Sequence, residues 1–312
     1  MTSHAPWACS SSVLDLVGNT PLLLIDRPSD RAAAVFAKAE FINPGGSIKD
    51  RVAKHLIERA EEKGVLRPGM IVAEATSGNT GIGVALVGRV KGYRVVIVMP
   101  ESMSEERKKI IRALGADLIL TPKERSIHGA VDRLKELVSI NPNVWRVDQF
   151  GNPHNPEIHY MTTGPEIWKQ MEGRVDAFVA GVGSGGTLQG VGTYLKEQNP
   201  KVKLVAVEPD NFSALLGIEP GLNVIHQIQG IGDGFVPTNL DTRIVDEIVT
   251  VSDDDAVYVT RKLAKSLGLL VGTSAGANVY AARIVAERLG PDARIATVLP
   301  DRAERYFSTA LI

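Results

Sequence analysis

Short apolar, β-branched runs alternate with helix-patterned segments through most of the chain, and this alternation restricts the fold more than any other feature. The runs are Met70 to Glu74, Arg94 to Met99, Asp117 to Leu120, Ala177 to Ala180, Val202 to Val207 and Ile295 to Leu299. Between them, Asp50 to Lys63 places Val52, Ala53, Leu56, Ile57 and Ala60 on one helical face, with Gly64 as a stop. Ser104 reads as the cap of a helix carrying Ile110, Ile111 and Leu114, ended by Gly115. Ser252 and the acids Asp253, Asp254 and Asp255 open another helix, matching the positive end of its dipole. Strand–helix alternation predicts an α/β fold with mostly parallel sheets covered by helices on both faces. At 312 residues the chain is long enough for two such domains. In these sheets ligands bind beyond the carboxyl ends of the strands, in loops that lead into helices.

Three glycine-bearing loops lie where that rule directs attention. Asn43-Pro44-Gly45-Gly46-Ser47-Ile48-Lys49-Asp50-Arg51 puts a lysine where a glycine loop enters a helix. A lysine in a first turn is ordinarily a solvated charge, but at a helix N-terminus the dipole opposes it and lowers its pKa. A lysine so depressed suits Schiff-base chemistry. Thr76-Ser77-Gly78-Asn79-Thr80-Gly81 gathers hydroxyl, amide and backbone N–H groups at another helix start, an anion site for a carboxylate or phosphate. Gly181-Val182-Gly183-Ser184-Gly185-Gly186-Thr187 lets backbone N–H groups approach a phosphate closely. The third loop also fits a dinucleotide fingerprint through Gly181, Gly183 and Gly186, with Glu208 placed 22 residues beyond Gly186 as the ribose-binding acid. A nicotinamide-dependent dehydrogenase is therefore the competing reading, though it leaves Lys49 and the other two loops unused.

Composition removes other classes. A net charge of −1 gives no bias toward nucleic acid or an anionic membrane. The one cysteine, Cys9, excludes an internal disulfide framework and fits a reducing, cytoplasmic setting. Met1 to Ser12 lacks the pattern of a signal or transit peptide. No apolar run reaches the roughly 20 residues that span a bilayer. His154 and His159 have no cysteine or acidic cage with them, so no metal site is expected. Trp145 and Trp168 read as packing residues.

Taken together, the loops resemble the fold-type II pyridoxal-phosphate enzymes, most closely the cysteine synthase (O-acetylserine sulfhydrylase) and cystathionine β-synthase family. Further landmarks are Val17-Gly18-Asn19-Thr20-Pro21, Gln149-Phe150, Asn152-Pro153, Asn155-Pro156-Glu157-Ile158-His159, Thr162 to Trp168, Gln229-Gly230-Ile231-Gly232, Gly272 to Gly276 and Glu304-Arg305-Tyr306. The resemblance runs from about Leu14 to Leu311. It implies two three-layer α/β/α domains with pyridoxal 5'-phosphate in the cleft between them. Residues 1–51 with 154–312 would form the larger, cofactor-binding domain, and residues 52–153 the smaller, mobile, substrate-binding one.

By the same resemblance, Lys49 would hold the cofactor and act as acid and base at the substrate α-carbon. Gly183, Ser184, Gly185, Gly186 and Thr187 would cradle its phosphate, Asn79 would bond its ring hydroxyl, and Ser274 would face its pyridine nitrogen. Thr76, Ser77, Gly78, Thr80, Gln149 and Gly230 would bind the substrate. A neutral hydroxyl at Ser274 leaves the ring a weaker electron sink than a carboxylate would, favouring prompt loss of a β-substituent. The implied reaction forms L-cysteine from O-acetyl-L-serine and sulfide through an aminoacrylate. O-phosphoserine or serine as donor, and homocysteine or another nucleophile as acceptor, stay open. A homodimer and a complex with serine acetyltransferase are implied by the family alone. The sequence departs from the common pattern at Asp233 and at Asp301-Arg302-Ala303, and Arg302 could favour a phosphorylated donor.

Overall fold

The computed structural model describes residues 9–218, 226–309 and 311. Of the N-terminal stretch Met1 to Ser12, the first eight residues lie outside the described residues. The strands are β1 (Leu22–Asp26), β2 (Ala34–Lys38), β3 (Ile71–Ala75), β4 (Arg94–Pro100), β5 (Asp117–Thr121), β6 (Val144–Arg146), β7 (Ala177–Gly181), β8 (Lys203–Pro209), β9 (Glu247–Val251) and β10 (Arg294–Val298). They form a six-stranded sheet, β1-β2-β10-β7-β8-β9, and a four-stranded sheet, β5-β4-β3-β6. Every pairing is parallel except β1 with β2.

Helices cover both sheets: α1 (Lys49–Glu62), α2 (Asn79–Val90), α3 (Glu105–Ala113), α4 (Ser126–Ile140), α5 (His154–Ile158), α6 (Gly164–Gln170), α7 (Gly186–Gln198), α8 (Asp253–Leu267) and α9 (Thr273–Leu289). The cause is visible along β7. Ala177 and Val179 enter one buried cluster while Phe178 and Ala180 enter the cluster on the opposite face, as side chains alternate across a strand. In the four-stranded sheet Val72, Val95 and Ile97 face one cluster, and Ala73, Val96 and Val98 the other. A strand buried on both faces must be apolar throughout, which makes it a continuous run in sequence. No helix among the described residues is long and apolar enough to cross a membrane.

One detail differs from expectation. Ser104 precedes α3, but its hydroxyl does not cap the helix; it donates to the Arg305 carbonyl at 2.9 Å. Ser252 does cap α8, accepting the Asp255 N–H at 3.1 Å. Trp145 and Trp168 pack against buried clusters, as read from sequence.

Candidate active site

Four element ends meet at one cavity. β3 runs out at Ala75, and Thr76 to Gly78 turn the chain into α2. Thr76 Oγ1 accepts the Gly78 N–H at 3.0 Å, and Thr80 Oγ1 donates to Gln149 Oε1 at 2.6 Å. β7 runs out at Gly181, and Gly183 to Gly185 lead into α7. Gly185, at φ 78°, takes the left-handed conformation that glycine adopts without strain. A side chain at Gly183 would collide with the Gly230 carbonyl, so the two loops approach at a distance only glycine allows. α1 starts with Lys49 and α9 carries Ser274 in its first turn.

The cavity holds about 300 Å³ and is lined by Lys49, Thr76 to Thr80, Gln149, Gly183 to Gly185, Thr187, Gly230 and Ser274, among others. That is at the lower end of the range for small-molecule sites. The structure thus brings together every sequence-predicted site residue except Gly186. Gly186 opens α7 with its Cα against the Asn155 side chain, where a Cβ would collide.

Electrostatically the cavity is open-ended. Among the described residues, Lys49 Nζ makes one hydrogen bond, to Ser184 Oγ at 3.4 Å. Burial lowers its pKa, with Asp233 and Asp301 only partly opposing; desolvation, rather than the helix dipole invoked from sequence, is the main cause. Burial likewise raises the Asp233 carboxyl, against the pull of Lys49. Asn79 Nδ2 donates to Asp301 Oδ2 at 2.7 Å, while Asn79 Oδ1 is buried without a partner. Tyr306 holds that same Asp301 oxygen at 2.6 Å. Ser274 is 3% exposed, and among the described residues its hydroxyl has no protein partner.

Other candidates fall outside. Arg302 does not line the cavity; its Nε donates to the Phe41 carbonyl at 2.8 Å. Asp301 sits behind Asn79. Glu208 is turned into its own loop, where it accepts the Leu215 N–H at 3.0 Å and the Ser213 hydroxyl, so the ribose-binding acid of the dehydrogenase reading is already committed. His159 is buried between Thr163 and Thr187, apart from His154. His154 meets His55 and Glu157 instead. There Arg59 takes Glu157 Oε1 at 2.9 Å and Lys63 contacts His154 Nε2 at 2.5 Å, two cations that oppose a divalent ion.

Sequence reasoning missed Arg107, His226 and Asn278, which also line the cavity. It also missed the role of Asn155, whose Nδ2 donates to Ser184 Oγ at 3.0 Å and steadies the glycine loop.

Comparison with known proteins agrees with this geometry. The chain is 47% identical over 302 residues to a cysteine synthase of Staphylococcus aureus, covering 96% of both chains. Its structure is similar to a cysteine synthase of Entamoeba histolytica, with a TM-score of 0.93 and 38% identity, covering 100% of this chain and 93% of that one. It is also similar to an O-acetylserine dependent cystathionine β-synthase of Helicobacter pylori, with a TM-score of 0.91 and 40% identity, covering 98% and 99%. With the family described as "Pyridoxal-phosphate dependent enzyme" matched over residues 13–301, the chain belongs to that family.

Proposed function

We propose that this protein is a cysteine synthase, replacing the β-substituent of O-acetyl-L-serine with sulfide to give L-cysteine. The observation that carries the reading is Lys49, a half-buried amine that, among the described residues, has no charged partner bound to it, opening a helix inside a cavity walled by two anion-accepting loops. The cavity's own residues fit pyridoxal phosphate. Lys49 supplies the amine, and Gly183 to Thr187 offer N–H groups and hydroxyls at the start of α7 for the phosphate. The unpartnered Asn79 Oδ1 is an acceptor for the ring hydroxyl, and the free Ser274 hydroxyl faces the site without imposing a charge.

When bound, the cofactor supplies an electron sink that acidifies the α-carbon of an attached amino acid. The remaining work belongs to the chain. Thr76, Ser77, Gly78, Thr80 and Gln149 hold the substrate carboxylate and thereby orient the α-carbon toward Lys49. Gly230, in the left-handed conformation at φ 95°, lines the cavity beside the substrate and sets its carbonyl against Gly183. Lys49 Nζ, kept toward its neutral form by burial, takes the α-proton and returns it once sulfur has added to the β-carbon. Capture of the carboxylate on the 76–80 loop draws residues 52–153 toward the rest of the chain and excludes water. The enzyme acts in the cytoplasm as a homodimer, and serine acetyltransferase is its expected partner; these three statements rest on the family resemblance.

Similarity to the cystathionine β-synthase of Helicobacter pylori, together with Asp233 in the cavity wall, supports homocysteine as a second acceptor. Incubating the cofactor-loaded protein with O-acetylserine, O-phosphoserine or serine, each against sulfide or homocysteine, decides the matter. Cysteine formed fastest from O-acetylserine and sulfide is the expected result. No thioether or thiol product from any pair would overturn the proposal.

A further inference from the structure

Arg107, in the first turn of α3, is 2% exposed yet lines the cavity. Among the described residues no carboxylate pairs with it. Its Nη1 donates to Gln229 Oε1, its Cζ lies 4.7 Å from the centre of the Tyr306 ring, and its Nε is buried without an acceptor. Neither partner bears a negative charge: burial pushes the Tyr306 phenol far above its ordinary range, so it stays protonated. A buried lysine can answer desolvation by losing its proton, but a guanidinium in a protein does not. A buried charge without a counter-ion is costly, and the missing charge must come from a ligand.

The position of Arg107 says which ligand group. Its side chain occupies the space a Cβ at Gly78 would take, with Cδ 2.5 Å from that point. The guanidinium therefore backs the Thr76–Thr80 loop. Gln229, at its other end, belongs to the opposite wall of the cavity, where its N–H donates to Thr273 Oγ1 at 3.3 Å. We infer that Arg107 is the counter-charge for the α-carboxylate of an amino-acid ligand, joining the loop that seats the carboxylate to the Gln229 wall across the cleft. Arg107 is then a positioning residue whose charge is completed only when an amino acid is bound, which favours amino acids over amines of the same side chain. This inference rests on the proposed amino-acid substrate.

The test measures binding of L-serine and of ethanolamine, its decarboxylated counterpart, to cofactor-loaded protein by calorimetry, in wild type, Arg107→Met and Arg107→Lys. The expected result is a loss of about tenfold or more for L-serine in Arg107→Met, in the range of a lost charge-assisted hydrogen bond, with less than about twofold change for ethanolamine. Arg107→Lys, which keeps the charge without the fork, is expected to lose less than Arg107→Met, again for L-serine only. Should Arg107→Met fail to fold, the Lys variant carries the same comparison. Equal losses for both ligands, or no loss for either, would overturn the inference while leaving the proposed function standing. With O-phosphoserine titrated alongside, a loss confined to that ligand would assign Arg107 to a phosphate and likewise overturn it. Failure of the wild type to bind L-serine at all would overturn the inference, whereas the function beneath it falls only if the cofactor-loaded protein also gives no product from O-acetylserine.

Discussion

Lys49 and Arg51 sit two residues apart at the start of one helix, Arg51 buried and Lys49 partly so, and they are treated in opposite ways. Arg51 is forked by two carboxylates: Nε and Nη2 reach Glu40 at 2.8 Å, and Nη1 and Nη2 reach Glu166 at 2.7 Å. Lys38 joins the cluster through Glu166 at 2.7 Å. Burial alone would raise the Glu40 carboxyl, but the Arg51 charge together with hydrogen bonds from Arg51, Thr20 and Asn43 outweighs it and holds Glu40 below its usual range. Lys49 has one hydroxyl at 3.4 Å. Arg51 is thus finished as folded, while Lys49 is left for chemistry. The closed cluster ties down Arg51, two residues along the helix that Lys49 opens, so stability and reactivity are separated by half a turn of helix.

The comparison breaks most sharply at Lys49 itself. Lys49→Ala is expected to lower turnover by about a thousandfold or more, since one group serves as cofactor anchor, base and acid; steady-state assays alongside circular dichroism check that the fold survives. Glu40→Gln should do the reverse. Breaking one side of a buried pair typically costs about 3–5 kcal/mol, so its denaturant midpoint should fall steeply, while any activity left in the folded fraction stays near wild type. If Glu40→Gln proves neutral in stability, the closed cluster is not what holds this helix start.

Smaller effects follow from groups held in disfavoured protonation states. In cofactor-free protein, Lys49→Met should be more stable than wild type at neutral pH. The folded amine's pKa lies below 10.5 and the unfolded one's near it, so the unfolded state binds more protons in that window and wild-type stability rises with pH. The advantage of Met should therefore shrink as pH climbs toward 10.5. Glu74 shows the opposite sign. Burial raises its carboxyl to about 8, against the hydrogen bond from the Asp148 N–H at 2.8 Å. Its cost is absent below pH 4.5 and complete above 8. Glu74→Gln should stabilise the protein at pH 8.5 and leave it unchanged at pH 4, by thermal unfolding at the two values.

Legibility in the sequence followed burial for most strands, with the mostly unburied β5, read as Asp117 to Leu120, as the exception. β7, β8 and β10 are apolar on both faces and stood out as continuous runs, as did β3 and β4. β2 is just as deep but ends in the buried Lys38, whose charge interrupts the pattern. β1 and β9 are only partly buried, and β6 has three residues. The glycine loops were legible because tight approaches leave no choice of residue. Arg107 was not: Glu105-Glu106-Arg107-Lys108-Lys109 reads as a solvated helical face, and the burial of its guanidinium depends on Tyr306 and Gln229 from distant parts of the chain. The lowered pKa of Lys49 was legible in direction but not in cause, because desolvation is a property of the assembled cavity.

The most direct test of the account is to load the protein with pyridoxal phosphate, reduce it with borohydride and map the modified peptide by mass spectrometry. The prediction is a pyridoxyl adduct on Lys49, which is partly buried and lines the cavity, and none on Lys38, which is fully buried and already paired. An adduct on another lysine, or no adduct at all, would contradict the claim that Lys49 is the amine this fold holds open for its cofactor.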